Sequence, residues 1–218
     1  MSNRTQFEQL RDQAGLLYLL NRLKEFGFQT QRLKLQKLVY LADIFGTMVG
    51  KKPTGYVFKV YKLGPYSKEI QSDIERLASI DAVEVKEIGQ WDPNQERSFE
   101  YEIEESRTKK ASIMEKTPDF DVLAKTVEFA VQSVGYLSGE EIRKLVYSEP
   151  NYADAKRKGF ETTINPEYPF AVRFKAMSKQ ISLREFGTEL REEEILWLYL
   201  NVIKAMQARD FTYKNEQR

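Results

Sequence analysis

Apolar residues recur at the spacing of an α-helix through much of this chain, and this pattern constrains its fold more than any other feature. Residues 5–26 carry them along one helical face and are followed by Gly27, a helix stop. Residues 30–45 and 192–208 show the same pattern. The sequence therefore predicts amphipathic helices in all three segments.

Two shorter stretches, residues 82–88 and 98–103, alternate apolar and charged residues. Alternation of this kind is typical of strands with one buried face. The turn-like residues 90–95 lie between them, so we expect an antiparallel β-hairpin at about residues 82–104. Residues 56–63, rich in aromatic and β-branched side chains, predict one more strand.

The second half of the chain again has a helical pattern. Ser138 with Glu141 resembles a capping box and predicts a helix that stops at Pro150. We expect residues 151–170 to be irregular and residues 170–177 to be helical rather than extended. Two further helices are predicted, one over residues 108–115 and one that begins at Asp119 or Asp121.

These patterns predict an α+β fold that is mainly α, with a small antiparallel sheet beside a helical body. We expect one compact domain over residues 1–210, followed by a frayed tail over residues 211–218. Within it, residues 5–105 would form a winged-helix-like lobe and residues 106–210 a helical lobe.

The chain contains no histidine and no cysteine. This excludes disulfides, thiolate metal ligands and the side chain that most often acts as a general base near neutral pH. Chemistry based on carboxylates, Mg²⁺ or a lysine Schiff base needs neither residue and stays open. The composition favours a protein that binds another macromolecule, without catalysis, cofactor or metal.

The charges are almost balanced, with 34 basic and 33 acidic residues and a formal net charge of +1. Such a chain has no global attraction to nucleic acid or to an anionic membrane. The N-terminal residues lack the apolar segment of a signal peptide, and no window approaches a membrane span. We therefore expect a cytoplasmic protein with no membrane partner, and the oligomeric state stays open.

Residues 34–43 combine cations with a tyrosine on one predicted helix. Lys34, Lys37 and Tyr40 are candidates for contact with a partner. The alternative is an ordinary amphipathic helix, with a solvated basic face and Tyr40 in the core.

Gly64 and Pro65 mark a sharp turn between the predicted strand and a helix over about residues 66–78. Pro65 suits the first turn of that helix, and Lys62 and Lys68 stand near its free amides. The turn is therefore either a weak anion site or purely structural.

The candidate partner-binding residues are, in full, Lys34, Lys37, Tyr40, Tyr61, Lys62, Gly64, Pro65, Tyr66 and Lys68.

The run KLQKLVYLA at residues 34–42, then an aromatic strand and Gly64-Pro65, resembles the Panacea (SocA-like) antitoxin domain. Residues 137–153 are similar to that family's C-terminal motif, with Tyr147 where the family usually has His. The form GPYS at residues 64–67 is also similar to the YwgA-like bacterial proteins. The resemblance implies a prokaryotic, non-enzymatic protein that binds and neutralises a toxin, or delivers it to a protease.

Three functions follow from these observations. The leading hypothesis is an antitoxin-like or phage-defence accessory protein that binds a protein partner. The second is a DNA-binding regulator of winged-helix type, which is not favoured because the hairpin is acidic. The third is a carboxylate- or Mg²⁺-dependent hydrolase. The acidic residues of the hairpin region are Glu84, Glu87, Asp92, Glu96, Glu100, Glu102, Glu104 and Glu105.

Overall fold

A computed structural model describes residues 4–88, 98–103 and 120–216, the last seven of them by their backbone alone. Within these residues the fold is α+β and mainly α, as predicted, with eight helices and two small antiparallel sheets. The helices are α1 (Gln6–Glu25), α2 (Arg32–Val49), α3 (Lys68–Ser79), α4 (Phe120–Val134), α5 (Gly139–Tyr147), α6 (Pro150–Lys158), α7 (Pro169–Phe186) and α8 (Glu192–Glu216). The strands are β1 (Lys59–Tyr61), β2 (Gly64–Tyr66), β3 (Glu84–Ile88) and β4 (Ser98–Glu102).

Helix α2 is enclosed by the rest of the fold. Residues 34–46 are all buried, and α4, α5, α7 and α8 pack against this helix together with β2 and β4. The alternative interpretation of this helix is wrong about a solvated basic face, because Lys34 and Lys37 are buried, but its placement of Tyr40 in the core is confirmed. A helix that is buried on every side needs polar partners within the protein, and these partners define the candidate site.

Capping boxes start two of the helices. The backbone N–H of Glu141 donates to Ser138 Oγ at 3.3 Å, while the Ser138 N–H donates to Glu141 Oε2 at 2.8 Å. The predicted capping box at the start of α5 is therefore confirmed, and Thr5 with Glu8 forms a second one at the start of α1.

Strands β1 and β2 form a tight antiparallel hairpin in which Tyr61 lies opposite Gly64. The opposite edge of β1 binds a distant segment, since the Val60 N–H donates to Thr162 O at 2.9 Å. Pro65 thus lies in an edge strand and α3 begins only at Lys68, so the prediction that Pro65 opens a helix is wrong. Proline, which lacks an N–H, is tolerated on the free edge of such a strand.

Strands β3 and β4 form the predicted hairpin, with Glu84 opposite Glu102. Lys86 bridges these two carboxylates across the strands, at 3.7 Å from Glu84 and 2.7 Å from Glu102. The predicted turn at residues 90–95, the short helix at 108–115 and the acids Asp92, Glu96, Glu104 and Glu105 lie outside the described residues.

Helix α6 occupies part of residues 151–170, which the sequence predicts to be irregular. That prediction is wrong for residues 151–158, because Glu149 caps a helix whose first residue is Pro150. The helix expected at residues 170–177 is present as part of α7, and α8 continues to Glu216, inside the segment predicted to fray.

Helix α7 buries only Ala171 and Ser182 completely. Several of its large apolar side chains are exposed, and Phe186 keeps 76% of its surface accessible. Much of the apolar surface of α7 therefore faces outward. None of the described helices combines the length and the apolar character that a membrane crossing requires.

Candidate functional site

A pocket of about 430 Å³ opens between the start of α2, the β1–β2 hairpin and the start of β4. Its lining includes four of the nine predicted partner-binding residues: Lys37, Tyr61, Gly64 and Tyr66. The other lining residues are Gln31, Arg32, Leu33, Gln36, Leu63, Ser98 and Phe99.

The side chains of Gln36 and Lys37 bind the β1–β2 hairpin to α2. Gln36 Nε2 donates to the Ser67 carbonyl at 3.0 Å, and its Oε1 accepts from the Ser67 N–H at 2.9 Å. Lys37 Nζ donates to the Pro65 carbonyl at 2.7 Å. The KLQK and GPYS motifs are therefore the two halves of one structural unit, which forms the floor of the pocket.

Gly64 is the point of closest approach within this unit. Its φ of +101° is one that residues with a side chain rarely adopt. A Cβ added at Gly64 would lie 3.0 Å from Lys37 Cε and 3.2 Å from Tyr147 Cε1. Glycine is needed here both for the turn and for the contact with α2.

Aromatic rings form one wall of the pocket. The ring centroids of Tyr61 and Tyr66 lie 5.3 Å apart, and Phe160 packs 5.0 Å from Tyr61 on its other side. Tyr61 remains 38% exposed. This wall offers an aromatic surface to a ligand that enters from solvent.

Arg32 lines the same pocket beside β4. Its guanidinium lies 5.3 Å from the centroid of the Phe99 ring, a cation–π contact with β4. Within the described part of the chain it makes no hydrogen bond or ion pair, and no residue of the described lining is acidic. The described part of the lining is therefore cationic, and the Arg32 guanidinium has donors that bind no described residue.

Of the other predicted residues, Lys34 and Tyr40 are buried away from the pocket, so a surface role for them is wrong. Lys34 Nζ lies 5.4 Å from the centroid of the Phe28 ring, and burial lowers the pKa of Lys34 to about 8. Lys62 and Lys68 are exposed outside the lining, and the buried Pro65 contributes only its carbonyl.

Tyr147 closes the hairpin from the side of α5. Its hydroxyl donates to the Lys62 carbonyl at 2.8 Å, and its ring stacks on that of Tyr152 at 5.4 Å. Lys156 Nζ lies over the same ring, 4.2 Å from its centroid. The two sequence segments that carry the family resemblance therefore meet in space at Gly64 and Tyr147.

A buried carboxylate, which the sequence does not reveal as a site, lies behind this contact. Glu149 is fully buried and accepts from the hydroxyls of Tyr40 at 2.6 Å and Tyr199 at 2.7 Å. It also accepts the backbone N–H groups of Asn151 and Tyr152, which begin α6. Glu before Pro150 is an N-cap signal that could have revealed α6, whereas the two tyrosines come from distant helices.

A second buried polar cluster joins the N-terminus to α1 and α3. Arg4 Nη1 lies 2.9 Å from Asp12 and 2.8 Å from Asp73, and the Tyr56 hydroxyl donates to Asp73 at 2.9 Å. Burial raises the pKa of Asp12. These groups have their hydrogen-bond partners inside the protein, so the cluster stabilises the packing of the N-terminus against α1 and α3.

Asp43 is a third buried aspartate, on α2. Its carboxylate accepts the N–H and the hydroxyl of Thr54 and lies 3.1 Å from Lys52 Nζ. Burial outweighs these partners and raises the pKa of Asp43 to about 6. Among the described residues no three acidic side chains converge as a metal site would require.

No protein-family model matches this sequence, and comparison with curated proteins found no match.

Proposed function

We propose that this protein is an antitoxin-like or phage-defence accessory protein that binds a protein partner through the pocket beside the β1–β2 hairpin. The observation that carries the proposal is the lining of that pocket, which combines an aromatic wall with a guanidinium that has no ion-pair partner among the described residues. Aromatic residues and arginine dominate the energetics of protein interfaces. The resemblance to the Panacea domain and the YwgA-like proteins supports the same proposal, because Gln36, Lys37, Gly64 and Tyr66 of the segments that carry it line this pocket.

The pocket supports binding better than it supports catalysis. Its described lining has no carboxylate, so an acid–base pair is absent from that part of the wall. Asp12, Asp43 and Asp73 are buried and hydrogen-bonded within the protein. The described part of the chain therefore has no solvent-accessible cluster of acids such as a carboxylate-dependent hydrolase would need.

A DNA-binding role receives less support from the surface. The described hairpin exposes Glu84, Glu87 and Glu102, which would repel a phosphate backbone. In the exposed part of α3, Glu75 offsets Arg76. Titration of duplex DNA at about 50 mM salt checks this alternative, and we expect no saturable binding.

The proposed function is tested by co-expression with the protein encoded beside this gene. We expect growth arrest by that neighbour and rescue by the wild-type protein. Tyr61→Ala should weaken the rescue, because it removes the exposed part of the aromatic wall. Tyr136→Ala is the matched control, since Tyr136 is 58% exposed and does not line the pocket.

Equal rescue by wild type, Tyr61→Ala and Tyr136→Ala would remove the pocket from the mechanism. A neighbour without toxicity, together with a lone protein after purification from the native host, would argue against the antitoxin-like role itself.

A further inference from the structure

We infer that the partner inserts an acidic peptide segment into this pocket, with a carboxylate next to an aromatic or aliphatic side chain. This inference rests on the proposed function and names the chemistry of the partner. It follows from the charge of the described lining, from the lack of a described hydrogen-bond acceptor for Arg32, and from the aromatic wall in the same pocket.

The charge of the lining selects an anion. Arg32 and Lys37 contribute cations, and the described lining contains no aspartate or glutamate. The pocket also includes the first residues of the 18-residue helix α2, whose first turn has no acidic residue and whose N-cap, Gln31, makes no side-chain capping bond. The positive end of the helix dipole therefore adds to the charge of the two side chains.

Arg32 supplies the specific contact. Its guanidinium is oriented by the Phe99 ring and has no hydrogen-bond acceptor among the described residues. A guanidinium presents donors in a planar fork that matches both oxygens of one carboxylate. A glutamate or aspartate of the partner would thus form the ion pair that Arg32 makes with none of the described residues.

The surroundings favour an isolated carboxylate over a polyanion. The strand that contributes Ser98 and Phe99 continues into Glu100 and Glu102, and Glu84 lies opposite Glu102. A nucleic-acid backbone that reached Arg32 would pass these acids, whereas a single peptide carboxylate need not. We therefore expect the partner's peptide segment to carry a single carboxylate rather than a series of negative charges.

The aromatic wall explains why we expect an aromatic or aliphatic side chain next to the carboxylate of the peptide. Tyr61 and Tyr66 pack against each other in the same pocket as Arg32, and Leu63 adds an aliphatic side chain to the lining. The volume of about 430 Å³ falls within the range of pockets that bury most of a small ligand. A short peptide stretch with one carboxylate and one apolar side chain fits this lining.

The experiment uses the full-length protein and short peptides that carry a neutral dye. One pool contains a central Glu flanked by Phe, Tyr or Leu, and the matched pool has Gln in place of Glu. All peptides are acetylated and amidated, so Glu is their one carboxylate. We expect fluorescence anisotropy to show saturable binding of the Glu pool, weakened about tenfold in the Gln pool.

Arg32→Gln should reduce affinity for the Glu pool by about tenfold or more and leave the Gln pool unchanged. Arg32→Lys, which keeps the charge but loses the fork, should fall between wild type and Arg32→Gln. Arg184→Gln, an exposed site on α7, is the control and should bind as wild type does. Circular dichroism and the melting temperature verify that each variant is folded.

Three results would overturn the inference. Equal binding of both pools would show that the carboxylate is not recognised, and tight Arg32-dependent binding of oligothymidine would assign the pocket to phosphate. A partner whose neutralisation needs Tyr61 but not Arg32 would refute the acidic segment while leaving the proposed function intact. Neutralisation that depends on neither residue would instead remove the pocket from the mechanism, and a neighbour without toxicity would count against the antitoxin-like role itself.

Discussion

Asp43 illustrates at the scale of a single residue how burial outweighs favourable contacts. Its carboxylate has a lysine and two hydrogen-bond donors around it, yet burial raises its pKa to about 6. The unfolded chain has an aspartate pKa of about 3.9, so the folded protein binds this proton more tightly. The contribution of Asp43 to stability is therefore full below about pH 4 and is lost as the pH rises to about 6.

Asp43→Asn removes this titration. We expect the free energy of unfolding of the variant, relative to wild type, to rise by about 2–3 kcal/mol between about pH 4 and pH 7. Lys52 keeps the carbonyls of Thr54 and Tyr56 as acceptors in the variant. Urea denaturation across this pH range measures the difference, with the exposed Asp121→Asn as control. If the difference in free energy of unfolding between Asp43→Asn and wild type does not change with pH, the raised pKa of Asp43 is contradicted.

The burial of Lys34 and Lys37 could not be predicted from the sequence. Lys34 and Lys37 stand in a run that is equally consistent with a solvated basic face. They are buried because α5 and the hairpin cover the N-terminal half of α2, and that coverage depends on residues far along the chain. Local pattern carries no information about such packing.

At the scale of the element, the β1–β2 hairpin depends on Gly64. Gly64→Ala forces a side chain into a positive-φ position and against Lys37 and Tyr147, so we expect a loss of about 1–3 kcal/mol of stability. Gly187→Ala is a matched control, because Gly187 also has positive φ but no atom within 4 Å of an added Cβ. It should cost about 1 kcal/mol.

Chemical denaturation of both glycine variants provides the comparison. Equal losses would mean that the backbone conformation alone matters and that the contact between the hairpin and α2 adds nothing. A larger loss for Gly64→Ala, accompanied by weaker peptide binding, would tie the hairpin to the shape of the pocket.

The helices were predictable where their period is regular, as in α1, α2 and the first part of α8, and the capping box of α5 was predictable from Ser138 and Glu141 alone. Helix α6 was not predicted, because it has only nine residues and few apolar ones. Of the site, Lys37 and the turn at Gly64 were predictable as candidates, but the β1–β2 hairpin was not. Arg32 belongs to the cations of the predicted helix, but its contact with Phe99 was not predictable. Those two residues meet only because β4 pairs beside the start of α2 through Gln31 and Glu100.

At the scale of the whole molecule, Glu149 joins three helices that are far apart in sequence. Each of its oxygens accepts one backbone N–H of α6, so no orientation of a glutamine amide can satisfy both. We therefore expect Glu149→Gln to cost about 2–3 kcal/mol, measured as a lower urea midpoint. The exposed Glu167→Gln should leave the midpoint unchanged. A neutral effect of Glu149→Gln would show that the carboxylate is dispensable.

The enclosure of α2 has a consequence for any attempt to divide this protein. A fragment of residues 1–103 would keep α2 but lose α4, α5, α7 and α8, the helices that cover it. It would also lack Glu149, so the Tyr40 hydroxyl would lose its hydrogen-bond acceptor. Truncation near the middle of the chain should therefore yield two insoluble pieces rather than two folded modules.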